Sequence, residues 1–101
     1  MSDLRKADLY WAAAYQSSFR NADLTGAKLA GADLKEADFT GAALEGADLG
    51  RDNLNGSTSL QGAKFLRANL RYAILEGANY DIDTAFPEGF DPISRGMIFT
   101  E

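Results

Sequence analysis

A chain of 101 residues with 46% hydrophobic and 25% charged residues has the composition of one globular domain and not of a disordered segment. It contains no cysteine and no histidine, which excludes a disulfide framework, a thiolate site, and the commonest general base and transition-metal ligand. Net charge is −5, but residues 1–82 carry 11 acidic and 9 basic side chains, while residues 83–101 carry four acids (Asp83, Glu88, Asp91, Glu101) against Arg95. A body so nearly balanced neither attracts nor imitates nucleic acid through bulk charge.

From the first residues onward the chain repeats with a period of five. The opening Met1-Ser2-Asp3-Leu4-Arg5-Lys6 leads into no apolar run of signal-peptide or membrane-span length, so the expected location is cytoplasmic. Leu or Phe recurs at Leu4, Leu9, Phe19, Leu24, Leu29, Leu34, Phe39, Leu44, Leu49 and Leu54, with a small residue two positions earlier, as at Ala7, Ala22, Ala27 and Ala32. Ala14 interrupts the series once. After Leu54 the phase slips by one, with Ser57 the expected extra residue, and resumes at Leu60, Phe65, Leu70, Leu75 and Tyr80.

Period five suits neither ordinary element. On an α-helix successive leucines would wind around every side, and on an unbroken strand they would alternate between faces. Ala and Leu two apart share a face, so the chain must turn before the next block. Gly26, Gly31, Gly41, Gly46, Gly56, Gly62 and Gly77 stand two residues after the central position, where a tight turn is expected. A chain turning the same way every five residues winds into a coil filled with leucine, and successive coils pair edge to edge at about 4.8 Å.

Blocks such as Ala22-Asp23-Leu24-Thr25-Gly26 and Ala37-Asp38-Phe39-Thr40-Gly41 resemble the pentapeptide-repeat family over residues 2–82. The resemblance implies an all-β fold, a right-handed quadrilateral β-helix with four pentapeptides per coil and about four coils here. On that basis the interior columns are expected to read Leu4/Leu24/Leu44/Phe65, Leu9/Leu29/Leu49/Leu70, Ala14/Leu34/Leu54/Leu75 and Phe19/Phe39/Leu60/Tyr80. Phe19 and Phe39 should stack, and Ser57 should form a corner bulge.

The repeat stops at Asp83, giving an expected division into a solenoid (1–82) and a C-terminal cap (83–101). Solenoid ends need apolar cover, and Phe86, Phe90, Ile93, Met97 and Phe99 are expected to supply it, the other reading of the tail being a docking element for a partner. Asp91 followed by Pro92, with Gly96 beyond, predicts about one helical turn. The Phe86-Pro87-Glu88-Gly89-Phe90-Asp91-Pro92 string is similar to tails of cyanobacterial-type family members.

The chemistry is sparse. Asp3, Asp8, Asp23, Asp33, Asp38 and Asp48 precede the central residue and face outward as a solvated ladder, with Asp8, Lys28 and Asp48 in one column of alternating sign. The glycines match no phosphate loop, and without histidine no ordinary triad forms. No enzyme activity, cofactor or metal is expected. The candidate partner-binding surface is Tyr10, Trp11, Tyr15, Arg51, Arg71 and Tyr72, residue types enriched at binding hot spots, with Trp11, Gly31, Arg51 and Tyr72 expected in one outer column. Two readings of the aromatics stand side by side: contact with a partner, or shielding of an N-terminal coil that no cap precedes. The expected function is a non-catalytic protein-interaction scaffold, engaging a protein partner or a second copy through that coil. The alternative, drawn from family members that bind DNA gyrase, is a DNA-mimicking topoisomerase inhibitor.

Overall fold

A computed structural model of the chain describes residues 3–52, 54 and 56–101. In each block the small residue and the central Leu or Phe point the same way, and the backbone then turns. The carbonyl of the central residue accepts the amide N–H three residues on, as between Leu24 and Ala27 (2.9 Å), Leu44 and Ala47 (3.0 Å), and Leu70 and Ala73 (3.1 Å). The residue two after the central one is left-handed, with φ from 69° at Gly26 to 82° at Gly77, which is type II turn geometry. Lys6, Trp11, Gln16, Asn21, Glu36, Arg67 and Tyr72 hold the same conformation without glycine's freedom, at φ of 58° to 61°.

Successive layers pair in parallel. The partners are Asp3–Asp23–Ala43–Asn69 on the first side, Asp8–Lys28–Asp48–Ile74 on the second, Ala13–Asp33–Ser59–Asn79 on the third and Ser18–Asp38–Lys64–Ala85 on the fourth. The central residues lie one position on, so the interior columns are Leu4/Leu24/Leu44/Leu70, Leu9/Leu29/Leu49/Leu75, Ala14/Leu34/Leu60/Tyr80 and Phe19/Phe39/Phe65/Phe86. From Leu24 through Leu49, and again at Leu60 and Phe65, these side chains are fully buried. Most sides pair through single residues. The named strands are β1 (Asn79–Tyr80) and β2 (Ile98–Phe99), which pair in parallel.

All four expected columns are therefore wrong beyond Leu49, for one reason. Leu54 is not interior; it is 80% exposed. The phase slip is not a one-residue bulge at Ser57. It is a six-residue loop, Arg51–Gly56, that leaves the third layer after Gly50 and returns at Ser57, closed by antiparallel pairing of Arg51 with Ser57. Ser57 and Thr58 occupy the positions that Gly31 and Ala32 hold one layer above.

The expulsion makes the fourth column wholly aromatic. Phe19 stacks on Phe39 as expected (5.0 Å, 7°), but the stack continues through Phe65 (4.9 Å, 2°), Phe86 (6.1 Å, 3°) and Phe90 (4.9 Å, 17°). Each such pair contributes about 0.5–1.5 kcal/mol beyond area burial.

Ala85 pairs with Lys64, so the chain keeps coiling past residue 82. The tail then crosses the last layer. Gly77 N donates to Gly96 O, Ile98 N to Ala78 O and Thr100 N to Tyr80 O, each at 2.8 Å. Met97 is buried. Arg95 Nη2 donates to Ala73 O (2.8 Å), satisfying a corner carbonyl of the last layer, with its guanidinium 5.3 Å from the centre of the Phe90 ring. Ile93, expected as cover, faces solvent. The segment after Asp91 forms overlapping turns, Arg95 N to Pro92 O (3.2 Å) and Gly96 N to Ile93 O (3.1 Å), and no helix is present among the described residues. Asp91 Oδ1 still accepts the N–H of Ile93 (3.1 Å).

Candidate functional site

The loop that breaks the repeat also anchors a surface feature built around Asp52. Asp52 organises it: its N–H donates to Gly56 O (2.8 Å), and its Oδ1 accepts the N–H groups of Leu54 (2.8 Å) and Gly56 (2.6 Å). Its Oδ2 accepts the indole Nε1–H of Trp11, two layers above. Those donors, the indole first, hold the Asp52 carboxyl below the usual aspartate range. Between the two layers lies Gly31, at φ 75°. A Cβ there would fall 2.6 Å from Trp11 Cδ1 and 2.8 Å from Asp52 Oδ2, so only glycine leaves room for the indole to reach the carboxylate.

The neighbouring residue points the other way. Arg51 lies against Gly77 of the last layer, where a Cβ would fall 2.6 Å from Arg51 Cγ and Nε. Arg51 and Asp52 together thus span the height of the coil stack from one loop.

Inside, Thr58 repairs the ladder that the loop interrupts. At a regular corner the left-handed residue donates to the carbonyl one layer below, as Gly26 N does to Glu45 O (3.0 Å). At the loop, Gly31 N donates instead to Thr58 Oγ1 (3.0 Å), and that hydroxyl donates to Gly50 O (2.7 Å). Thr58 is fully buried.

A cleft of about 390 Å³ opens beside this arrangement, lined by Tyr10, Trp11, Ala30, Asp48, Arg51 and Asp52. The Tyr10 and Trp11 rings are 5.8 Å apart and tilted by 43°. Trp11 remains 58% exposed while holding the left-handed backbone common to the corners, at φ 59°.

Of the six candidate residues, the structure brings Tyr10, Trp11 and Arg51 together and separates the others. Tyr15 stands on the next corner, where its hydroxyl donates to Glu36 Oε2 (3.0 Å), a bond that raises the phenol's pKa. Arg71 and Tyr72 do not share the Trp11 column. They lie on the preceding corner, below Gly46, whose N–H donates to Arg71 O (3.0 Å), and the Arg71 guanidinium sits 5.5 Å from the centre of the Tyr72 ring. The misplacement follows from the six-residue loop, which moves each later residue back by one corner. Sequence reasoning placed Gly31 in the Trp11 column but missed Asp48 and Asp52 as parts of this site. The available signal was Asp52-Asn53-Leu54-Asn55-Gly56, a loop-forming composition inside an otherwise regular repeat.

The aspartate ladder has a structural role. The Oδ1 of Asp23, Asp33, Asp38 and Asp48 accepts the N–H two residues on, at 3.0–3.2 Å, and so fixes the start of each corner. Asn69 does the same for Arg71 (3.0 Å). Among the described residues no three carboxylates converge as a metal site.

The model of the family described as pentapeptide repeats matches residues 17–56 and 56–79, in eight copies. The chain belongs to the pentapeptide-repeat family. Pentapeptide-repeat proteins are as a group non-enzymatic β-helical repeat proteins. A pentapeptide repeat protein of Nostoc Pcc 7120 is 34% identical over 97% of this chain and 84% of its own, with a TM-score of 0.36. One from the thylakoid lumen of Arabidopsis thaliana is 31% identical over 95% of this chain, with a TM-score of 0.51, and this chain spans 57% of its length. Rfr23 of the cyanobacterium Cyanothece 51142 is 31% identical over 84% of this chain and 54% of its own, with a TM-score of 0.49. Comparison with curated proteins gives no match.

Proposed function

We propose that this pentapeptide-repeat protein is a non-catalytic scaffold, a right-handed stack of four coils that binds a protein partner through the cleft between Tyr10, Trp11 and Arg51. The supporting observation is Trp11 itself. It is a large aromatic side chain left mostly in water and fixed in place by a carboxylate two layers away. An indole pinned in advance loses little entropy on contact, which is the property of an interface anchor.

The test is site-specific photocrosslinking in the native host, with a photoreactive phenylalanine at Tyr10 or, as control, at Ser18 on another side. A partner, or a second copy, crosslinked from Tyr10 and lost in Trp11→Ala supports the proposal. Equal crosslinking from both positions, or none from Tyr10, refutes it. Topoisomerase inhibition by DNA mimicry is not favoured. The outward columns mix signs, as in Asp8–Lys28–Asp48–Ile74, and four coils rise only ~19 Å. Inhibition of gyrase supercoiling at micromolar protein would reverse that judgement.

A further inference from the structure

The chemistry of the cleft narrows what can fill it, granting that it is the binding site. Two carboxylates, Asp48 and Asp52, line it against one guanidinium, Arg51, and the remaining walls are the Tyr10 and Trp11 rings over Ala30. The charges are not spread evenly. Arg51 is laid against Gly77, whereas Asp52 is turned over Gly31 toward Trp11. The half of the cleft that contains the aromatic rings is therefore the acidic half.

Asp52 is engaged through both oxygens by Trp11, Leu54 and Gly56. Asp48 is not. One oxygen accepts Gly50 N (3.1 Å), the other accepts no hydrogen bond among the described residues, and Asp48 forms no ion pair with any of them. Lys28, its neighbour in the outer column, forms no ion pair among them either. An open carboxylate beside an exposed indole and phenol suits a planar cation, which can stack on the rings while donating to the acid. An anionic side chain would have to approach both carboxylates, and a purely apolar one would leave Asp48 desolvated without a donor.

We infer that the cleft is a receptor for an arginine side chain of the partner, its guanidinium stacked on Trp11 and donating to Asp48. Lysine, a compact and strongly hydrated charge, satisfies the carboxylate but stacks less well, so it binds more weakly.

Trp11 is the single tryptophan, so its indole N–H gives one resonance that reports this site alone. The experiment titrates the whole protein with acetyl-Gly-Arg-Gly-amide and with the Lys, Glu and Leu counterparts at constant ionic strength, following that resonance. The expected result is a saturable shift with the Arg peptide, a weaker one with Lys, and none with Glu or Leu. Asp48→Asn should weaken Arg-peptide binding by about tenfold or more, the loss of one charge-assisted hydrogen bond. It should keep the fold, since Asn69 already makes the same corner bond in this chain. No saturable shift with Arg, an equal response to Glu, or full affinity in Asp48→Asn would overturn the assignment. Failure here alongside Trp11-dependent crosslinking from Tyr10 would remove the arginine specificity and leave the scaffold proposal standing.

Discussion

Replacing Thr58 by valine keeps the shape and volume of a fully buried side chain and deletes only its hydroxyl. That hydroxyl links Gly31 N to Gly50 O across the point where the loop leaves the coil. Without it a donor and an acceptor lose their partner together, and a buried group left unpaired costs about 1–3 kcal/mol. Gly50 is buried and Gly31 only partly so, so water can recover part of the second loss, and a total of about 2 kcal/mol is expected. At the usual urea dependence of about 1–3 kcal/mol per molar for small domains, the unfolding midpoint should fall by about 1 M. Thr58→Ser, which keeps the hydroxyl, is the control and should retain most of the stability. If Thr58→Val unfolds within about 0.5 kcal/mol of the parent, the scale of an ordinary surface substitution, the hydroxyl is not repairing the ladder.

Further outcomes follow from the column assignment and from the outer ladder. Phe39→Ala should cost about 3–5 kcal/mol, because it empties the middle of the aromatic column, whereas Leu54→Ala should change stability by less than about 0.5 kcal/mol; comparable losses in paired urea titrations would contradict the register. Asp38 is held at about 2, against an ordinary 3.8, by the Thr40 hydroxyl first and then by Thr40 N–H and Arg20. A folded-state value below the unfolded one means its contribution is complete above about pH 4 and fades as pH falls toward about 2. The stability of Asp38→Asn should therefore fall less steeply across that window, and an unchanged slope would contradict the assignment.

Much of this fold is readable from residue spacing, because the repeat is local. The pairing of Ala and Leu two apart, the left-handed corner after each central residue, and the Phe19–Phe39 stack all follow from one block and its neighbour. The position of the loop does not. The Leu54 block keeps the central Leu and the Gly two after it, but Asp52 stands two before it where Ala47 precedes Leu49. That departure marks the block as irregular without showing that its Leu leaves the interior. Its fate is decided by residues far along the chain. Keeping Leu54 inside would gain about 1.5–3 kcal/mol of burial, but it would place Leu60 under Phe39 and break the aromatic column. Expelling it secures the stacks of Phe39 on Phe65, Phe65 on Phe86 and Phe86 on Phe90, on the order of 1.5–4.5 kcal/mol together, and gives Thr58 its two partners.

The candidate site was half legible for the same reason. Tyr10 and Trp11 lie before the loop, so spacing placed them correctly. Arg71 and Tyr72 lie after it and were assigned to the wrong corner. Asp52 belongs to the loop itself and could not be seen as the anchor of Trp11 until the loop was recognised. Asp48 looked like one more rung of the ladder, and its open oxygen is a property of its surroundings, not of its position in the repeat.

Deleting Arg51–Gly56 together with Ser57→Gly joins Gly50 directly to the next block and restores an unbroken period of five from Leu49 to Leu60. If those six residues stand outside the coil, the shortened protein should keep a β-type circular dichroism spectrum and a single cooperative thermal transition, with the Trp11 indole N–H resonance displaced by the loss of Asp52. Loss of the cooperative transition would mean that a core repeat had been removed, with Leu54 inside and the columns described above misassigned.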